Sequence, residues 1–444
     1  MVFRLLVENL IIKSLSSDYY YLYSQNSHNQ ILLGNSLSFL ISGSWFDSTR
    51  LPISVSLEDQ RKIEHAALKN RDFFEIDNDN AFTAPSLSDN TVITTDVFTE
   101  KICTILAKNP KPWWIMIEAV TACNLSCKHC YNCNTHTFIS PDNVHRLMSL
   151  LDKDDNCHVV LTGGEIMLHP QLFEILYILK DYNKVVSFIS NGTLITKNRL
   201  DEIISSGCIV GSFQLSLYSV NPEIHDRITG KVGSWQKTVD AIGILKQYGY
   251  KVVIASLIVP SNVDQVAALI KFAREQSVQI RFCFKCVSNC HDACANSDCD
   301  LSVEGFTQAF SDYLSHINSF HLSKKESYGN HICMAGISKC TLGADGSLFL
   351  CPTWKEYPFT NIADISSFEA FWNGKEIQRI RSITKDDFTK CNSCNIQEYC
   401  RPCLADNFNK NRDIMKIHDS HCVLEQIKHT IELKRMNQDK ANDS

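Results

Sequence analysis

The sequence predicts an α/β protein: a parallel sheet or partial barrel of six strands, with a small α+β segment in front and a cysteine-rich segment behind. Three observations carry this. Between residues 113 and 284, apolar strand-like runs alternate with amphipathic helical runs, the pattern of parallel strands joined by right-handed helical crossovers. The stretch before it is rich in Ser, Asn and Tyr and holds two short strand-like runs. After residue 331 the chain changes again, to short segments crowded with cysteine and a polar, lysine-containing helix at the end.

In the leading part, YYYLYS (19–24) and QILLG (30–34) flank the turn-rich QNSHN and read as a hairpin. A helical stretch, SLEDQRKIEHAALK, follows from Ser56, and residues 77–95 are dominated by turn formers, so they read as a linker. Domains are expected over 1–95, 96–300 and 301–444. The strand candidates are WWIMIEAV (113–120), HVVLTG (158–163), KVVSFIS (184–190), CIVGSFQLSLYS (208–219), KVVIASLIV (251–259) and VQIRFCF (278–284). Segments such as VHRLMSLLDK and QLFEILYILK supply the helices between them. In such folds the chemistry sits in the loops at the carboxyl ends of the strands. Residues 331–444 are too poor in apolar side chains for a core of their own, so bound metal is the expected organiser.

A formal charge of -6 over 444 residues argues against a nucleic-acid or membrane-surface binder, since neither polyanion would attract the chain. The opening MVFRLLVENLIIKSL is too short, and too interrupted by Glu8 and Lys13, for a signal peptide or a membrane span. A cytoplasmic location is the expectation. The outlier is cysteine, with 20 residues. Disulfides are rare in a reducing cytosol, so clustered cysteines point to metal or redox chemistry. Cys103, Cys157 and Cys208 stand alone in apolar surroundings and read as small buried hydrophobes.

Directly after the first strand comes CNLSCKHC, which spaces Cys123, Cys127 and Cys130 as C-x3-C-x2-C. At this cysteine content such a triplet arises by chance roughly 0.04 times in the chain. Three thiolates in one loop can hold three irons of a 4Fe–4S cube and leave the fourth open to a small molecule. The alternative is a closed zinc site that drafts His129 or Cys133 as fourth ligand. Gly163-Gly164-Glu165 ends the second strand, where glycines allow close backbone approach and a carboxylate can hold an ammonium. Ser190-Asn191-Gly192 closes the third strand, Ser216 ends the fourth, and Arg227 follows in HDRITG.

In these residues the chain, over about 112–285, resembles the radical S-adenosylmethionine superfamily. That resemblance implies a partial (β/α)6 barrel whose open iron binds the amino and carboxylate groups of S-adenosyl-L-methionine. Reductive cleavage of the sulfonium then yields a 5′-deoxyadenosyl radical that takes hydrogen from substrate. By the same resemblance Gly163, Gly164 and Glu165 form the amino-group site, and Ser190 and Asn191 the turn beside the cofactor. Ser216 contacts the ribose, Arg227 pairs with the methionine carboxylate, and His129 packs near adenine. One departure is visible: many relatives read S-x-D-G where this chain has Ser216-Leu217-Tyr218-Ser219.

The second constellation reads Cys333-x6-Cys340-x10-Cys351, then Cys391-x2-Cys394-x5-Cys400-x2-Cys403-x18-Cys422. Eight cysteines match, by count, two clusters of four thiolates each. A zinc ribbon of Cys391, Cys394, Cys400 and Cys403 would leave the other four unexplained. With Gly346 five positions before Cys351, this tail resembles the SPASM extension of radical enzymes that modify peptides and proteins. The resemblance implies a first auxiliary cluster on Cys333, Cys340, Cys351 and Cys403, and a second on Cys391, Cys394, Cys400 and Cys422. The usual gap of three after the third cysteine of that run is here two, Arg401 and Pro402. A third group, Cys283, Cys286, Cys290, Cys294 and Cys299, fits no family pattern and reads as structural thiols or, alternatively, another metal site.

The SPASM resemblance implies a polypeptide substrate. Such enzymes install thioether, carbon–carbon or ether links in ribosomal peptides, or oxidise a cysteine or serine of sulfatases. The sulfatase type carries an Asp after the third auxiliary cysteine, where this chain has Pro352. The leading hairpin and helix loosely resemble winged-helix domains that capture leader peptides by strand addition; a plain stabilising extension is the alternative. The expectation is therefore an oxidoreductase that crosslinks side chains of a ribosomally made precursor peptide, as the cyclophane and darobactin macrocyclases do. A low-potential donor such as a flavodoxin or ferredoxin would supply electrons. The competing readings are a formylglycine-generating maturase, a small-molecule radical enzyme, and a zinc-organised peptide-binding scaffold.

Overall fold

The computed structural model describes residues 110–442 apart from 133–134, 152–156, 287–296, 318–330 and 355–356, together with Cys103, residues 105–108 and six strands before residue 77. The chain divides into two units, Met1–Ser88 and Asp89–Ser444.

In the first unit the strands are β1 (Val2–Leu5), β2 (Leu10–Ser16), β3 (Tyr19–Ser24), β4 (Gln30–Gly34), β5 (Phe46–Asp47) and β6 (Phe74–Ile76). They form two three-stranded sheets, ordered β5-β1-β6 and β2-β3-β4. The expected hairpin is β3–β4, with Tyr19 opposite Gly34 and Tyr23 opposite Gln30. The helix from Ser56 and the linker over 77–95 lie outside the described residues.

The second unit holds the six expected parallel strands: β7 (Trp114–Val120), β8 (His158–Gly163), β9 (Val185–Ser190), β10 (Ile209–Ser216), β11 (Val252–Leu257) and β12 (Gln279–Cys283). Each pairs in parallel with its neighbour in sequence. Helices α1 (Pro141–Leu150), α2 (Leu172–Asp181), α3 (Lys197–Ser205), α4 (Pro222–Thr229), α5 (Ser234–Gln247) and α6 (Val266–Glu275) cross between strands. Local chemistry fixes their starts. Ser140, Thr196 and Asn221 each accept a backbone N–H at a helix N-terminus, and Pro141 and Pro222 stand in the first turn. Leu172, Ile175, Leu176 and Leu179 give α2 its buried stripe at helical spacing. The core lies between sheet and helices, with Ile117, Leu161, Phe188, Phe213, Leu215 and Ile254 fully buried. Each such side chain contributes about 1.5–3 kcal/mol. Phe188 and Phe213 stack at 4.9 Å.

The strand order is β12-β11-β10-β9-β8-β7-β13-β14-β15, so β7 pairs with β8 and β13 and the six parallel strands stay open. Here β13 (Lys339–Leu342) runs parallel to β7, with Lys339 beside Trp114. It returns through a hairpin to β14 (Ser347–Phe349), followed by β15 (Thr360–Asn361). Gly346 sits in that hairpin at φ 84°, a conformation that disfavours any residue with a Cβ. Arg146 of α1 clamps the far side through the carbonyls of Ile362 (2.8 Å) and Ile365 (2.7 Å).

The expectation of a C-terminal part without a core is corrected here. Leu342, Leu348, Leu350, Trp354, Ile362, Phe368, Trp372, Ile377 and Ile380 join the same buried cluster as the barrel. Their elements are too short to show a hydrophobic period, which is why the sequence hides them. The expectation holds for a narrower stretch: over 389–400 Ile396 is the one buried residue. Further on, α7 (Val303–Ser315) packs Phe306, Phe310 and Leu314 against Leu424, Ile427 and Ile431 of the last helix, Asp419–Asn442. Among the described residues no helix is long and apolar enough to cross a membrane.

Candidate active site and cluster-binding cysteines

The loop after β7 carries Cys123, Cys127 and Cys130, and its shape is set by backbone contacts rather than by the thiols. Ser126 and Lys128 donate their N–H groups to the carbonyls of Thr229 (3.0 Å) and Ile228 (3.1 Å) at the end of α4, and Cys130 N–H bonds the Cys127 carbonyl at 3.1 Å. Gly230, at φ 68°, lets this end turn away; a Cβ there would lie 2.8 Å from the Ser126 carbonyl oxygen. The thiols face one another. Burial, then the neighbouring Cys130 and Cys123, push Cys127 up to about 12. Cys123 is raised by burial, with Glu165 and Cys130 adding to it. Three thiols gathered in one short loop are the donor chemistry of an iron–sulfur site.

Gly163 and Gly164 end β8 against the start of that loop. A Cβ on Gly163 would sit 2.0 Å from the Val120 oxygen, and one on Gly164 2.2 Å from the Ala122 oxygen. The close approach permits two backbone bonds, Gly164 N–H to Val120 (2.6 Å) and Glu165 N–H to Ala122 (2.9 Å). Glu165 is fully buried. Its carboxylate accepts from Ser190 Oγ (2.8 Å), Asn191 N (2.8 Å) and Met167 N (3.1 Å). Burial raises its pKa while those three bonds oppose the rise. The carboxylate thus fastens the end of β8 to the end of β9, beside Cys123. Asn191 in turn donates to Asn124 Oδ1 (3.0 Å) and towards Cys123 Sγ (3.8 Å).

His129 and Ser216 meet through Tyr218. The Tyr218 hydroxyl lies 3.0 Å from His129 Nε2, with the rings edge-on at 4.7 Å, and it also bonds the Ser216 side chain. Burial depresses His129 to about 4, so its ring is neutral at physiological pH. Tyr218 N–H donates to His225 Nδ1 at 3.2 Å. Tyr218, His225 and Asn124 were not singled out from the sequence. The signal for Tyr218 was the departure from S-x-D-G, since it stands at the Asp position. Arg227 lies on the exposed side of α4.

Of the auxiliary cysteines, the structure gathers Cys333, Cys351 and Cys403. Burial pushes Cys403 up to about 11, Cys333 and Cys351 add to it, and Lys285 opposes it. Cys340 is not with them. It is 1% exposed in the core, raised to about 12 chiefly by burial, with the Cys157 thiol adding to the rise. Its place on β13 puts it inside the buried core cluster, and none of the other three thiols is among the groups that shift it. Cys391, Cys394, Cys400 and Cys422 line one cavity of about 270 Å³ with His421, whose Nε2 is 3.5 Å from Cys400 Sγ. Among the described residues, no three His, Cys, Asp or Glu side chains converge on single-ion geometry.

The chain matches the Radical SAM superfamily over residues 117–273, from within β7 into α6. That stretch carries the fold and the cysteine loop of a radical S-adenosylmethionine domain. Over residues 333–395 the chain also matches SPASM, an iron–sulfur cluster-binding domain, so a radical SAM domain is followed by a SPASM domain. The two domains imply a radical 4Fe–4S cluster, auxiliary clusters and S-adenosyl-L-methionine as cofactors. Among similar proteins is the antilisterial bacteriocin subtilosin biosynthesis protein AlbA of Bacillus subtilis (strain 168), 26% identical over 341 residues, covering 73% of this chain and 74% of AlbA. Another is the AdoMet-dependent heme synthase of Methanosarcina barkeri (strain Fusaro / DSM 804), 21% identical, covering 72% of this chain and 98% of the synthase. The crystal structure of Streptococcus suis SuiB bound to precursor peptide SuiA superposes with TM-score 0.58 at 15% identity, over 95% of this chain and 99% of that one. At that identity the likeness carries the fold.

Proposed function

We propose that this enzyme matures a ribosomally made precursor peptide by forming side-chain crosslinks, in the manner of a natural-product macrocyclase. The observation that carries the reading is the position of Tyr131. Its hydroxyl donates to Glu118 Oε1 at 3.4 Å, and both Cys130 of the radical loop and Cys351 of the first auxiliary set lie near enough to raise its pKa beside the larger effect of burial. A substrate held near it would face both sites at once. The names of relatives support the same reading, since AlbA takes part in bacteriocin biosynthesis and SuiB was crystallised with a precursor peptide.

In this reading Cys123, Cys127 and Cys130 would hold the radical cluster, which would supply reductive cleavage of S-adenosyl-L-methionine and, through it, hydrogen abstraction from the peptide. Gly163 and Gly164 keep the backbone close, and Glu165 turns its remaining lone pair to the cofactor's ammonium. Ser190 and Asn191 shape the wall beside it. Ser216 meets the ribose, His129 with Tyr218 packs near the adenine, and Arg227 swings in to the methionine carboxylate. Cys333, Cys351 and Cys403 hold the first auxiliary cluster without Cys340; Cys391, Cys394, Cys400 and Cys422 hold the second. The leading domain, 1–95, captures the leader peptide by adding a strand to a sheet edge. A flavodoxin or ferredoxin delivers the electron. Pro352 after Cys351 leaves no base where a formylglycine-generating enzyme has its Asp.

The test is mass spectrometry of a precursor peptide incubated with the reconstituted enzyme, reductant and cofactor. Closing a link removes two hydrogens, so each crosslink lowers peptide mass by about 2 Da, with 5′-deoxyadenosine formed alongside. Tandem spectra should show an unfragmented ring. A peptide that stays linear and gains an aldehyde in place of a cysteine would replace this reading with the formylglycine one.

A further inference from the structure

The cysteine group at and after β12 has no role in the site just described; of its described members Cys283 is exposed on the strand, while Cys286 and Cys299 lie together. Cys286 is 5% exposed and Cys299 is 9% exposed. The two thiols hydrogen-bond each other inside a small apolar cluster with Tyr218, Ile228 and Val259. This cluster backs directly onto the radical loop: the Cys286 thiol reaches towards the His129 carbonyl oxygen at 3.9 Å, one residue before Cys130. Lys128 is also near enough to act on Cys299. Cys290 and Cys294 fall outside the described residues and are left out of the site.

We propose that Cys286 and Cys299 are a reversible dithiol–disulfide pair that buttresses the radical-cluster loop. Two thiols in hydrogen-bond contact need little movement to reach bonding distance. The oxidant is a low-molecular-weight disulfide. Cys286 and Cys299 each lose a proton and together lose two electrons to form one S–S bond. The small disulfide's S–S bond breaks, and it leaves as two thiols. Oxidation removes the S–H that Cys286 points at the His129 carbonyl, so the loop loses a tether. Burial first, then Asp298 and Asp300, raise the Cys299 thiol. A thiol kept protonated attacks slowly, so the pair responds to sustained oxidation rather than to brief exposure.

The experiment uses the anaerobically reconstituted full chain and needs no peptide substrate, so it stands apart from the crosslinking proposal. The protein is incubated with oxidised glutathione, quenched in acid, alkylated and digested. The expected result is a Cys286–Cys299 linked peptide pair, absent before treatment, lost in Cys286→Ser and reversed by dithiothreitol. Hydrogen exchange over residues 126–131 should rise in the oxidised wild type and not in treated Cys299→Ser. Complete alkylation of both thiols, or linkage of Cys299 to Cys290 or Cys294 instead, would overturn the pair. Unchanged exchange despite the link would overturn its coupling to the loop. Loss of about four irons in either serine variant would make these residues cluster ligands and also overturn it.

Discussion

The radical loop and the 389–400 segment both present cysteines, yet they are built in opposite ways. The first hangs from a sheet whose core face is buried, and backbone bonds tie it to α4 and to the end of β8. Its thiols come together because the fold leaves them nowhere else to go. In the second, Cys391, Cys394 and Cys400 ride on short turns in which Ile396 alone is buried. There the side chains have little to pack against, and a metal-bound form would contribute much of the local folding energy. One site is preorganised by its protein, the other depends on what it binds.

Variants can break or sharpen that contrast. Cys127→Ala should have the largest effect: cleavage of S-adenosylmethionine disappears while the domain stays folded, because the loop is held without the thiol. Circular dichroism alongside product analysis checks this; loss of fold would show the loop depends on its cluster after all. Cys394→Ala should abolish peptide product, remove about four of roughly twelve irons and leave some uncoupled cofactor cleavage. It should also loosen 389–400, which limited proteolysis will detect. Gly163→Ala places a Cβ 2.0 Å from the Val120 oxygen at φ 144°. We expect a loss of about 3 kcal/mol or more in denaturant unfolding, without any ligand having been removed. The smallest change belongs to Cys340→Ala, which should retain full iron content and cost about 1–2 kcal/mol as a trimmed core residue. A drop in iron there would return Cys340 to the first auxiliary set.

The parallel sheet was legible because each strand is a predominantly apolar run and amphipathic helices separate them, so local pattern and global fold agree. The C-x3-C-x2-C loop was legible because its spacing is improbable by chance. Cys340 was misleading for a related reason: cysteine serves equally as ligand and as core residue, and spacing cannot say which way a side chain on β13 points. Tyr218 left a trace only as the departure from S-x-D-G, and His225 left none, because a buried aromatic cluster has no signature beyond ordinary hydrophobicity. The docking of the tail as an added strand was also invisible, since parallel pairing between Trp114 and Lys339 joins positions with half the chain between them.

That pairing has a consequence for biosynthesis. When β7 leaves the ribosome, one of its edges can be covered soon by β8, but the other has no partner until β13 is made. At roughly 5–20 residues per second, that edge waits about ten seconds or longer in the crowded cell. A bare strand edge is a template for pairing with a second chain, and this one leads straight into the loop of Cys123, Cys127 and Cys130. Low expression temperature and an ample iron–sulfur supply should therefore raise the yield of undamaged enzyme together, because aggregation and failed cluster loading begin at the same unfinished edge.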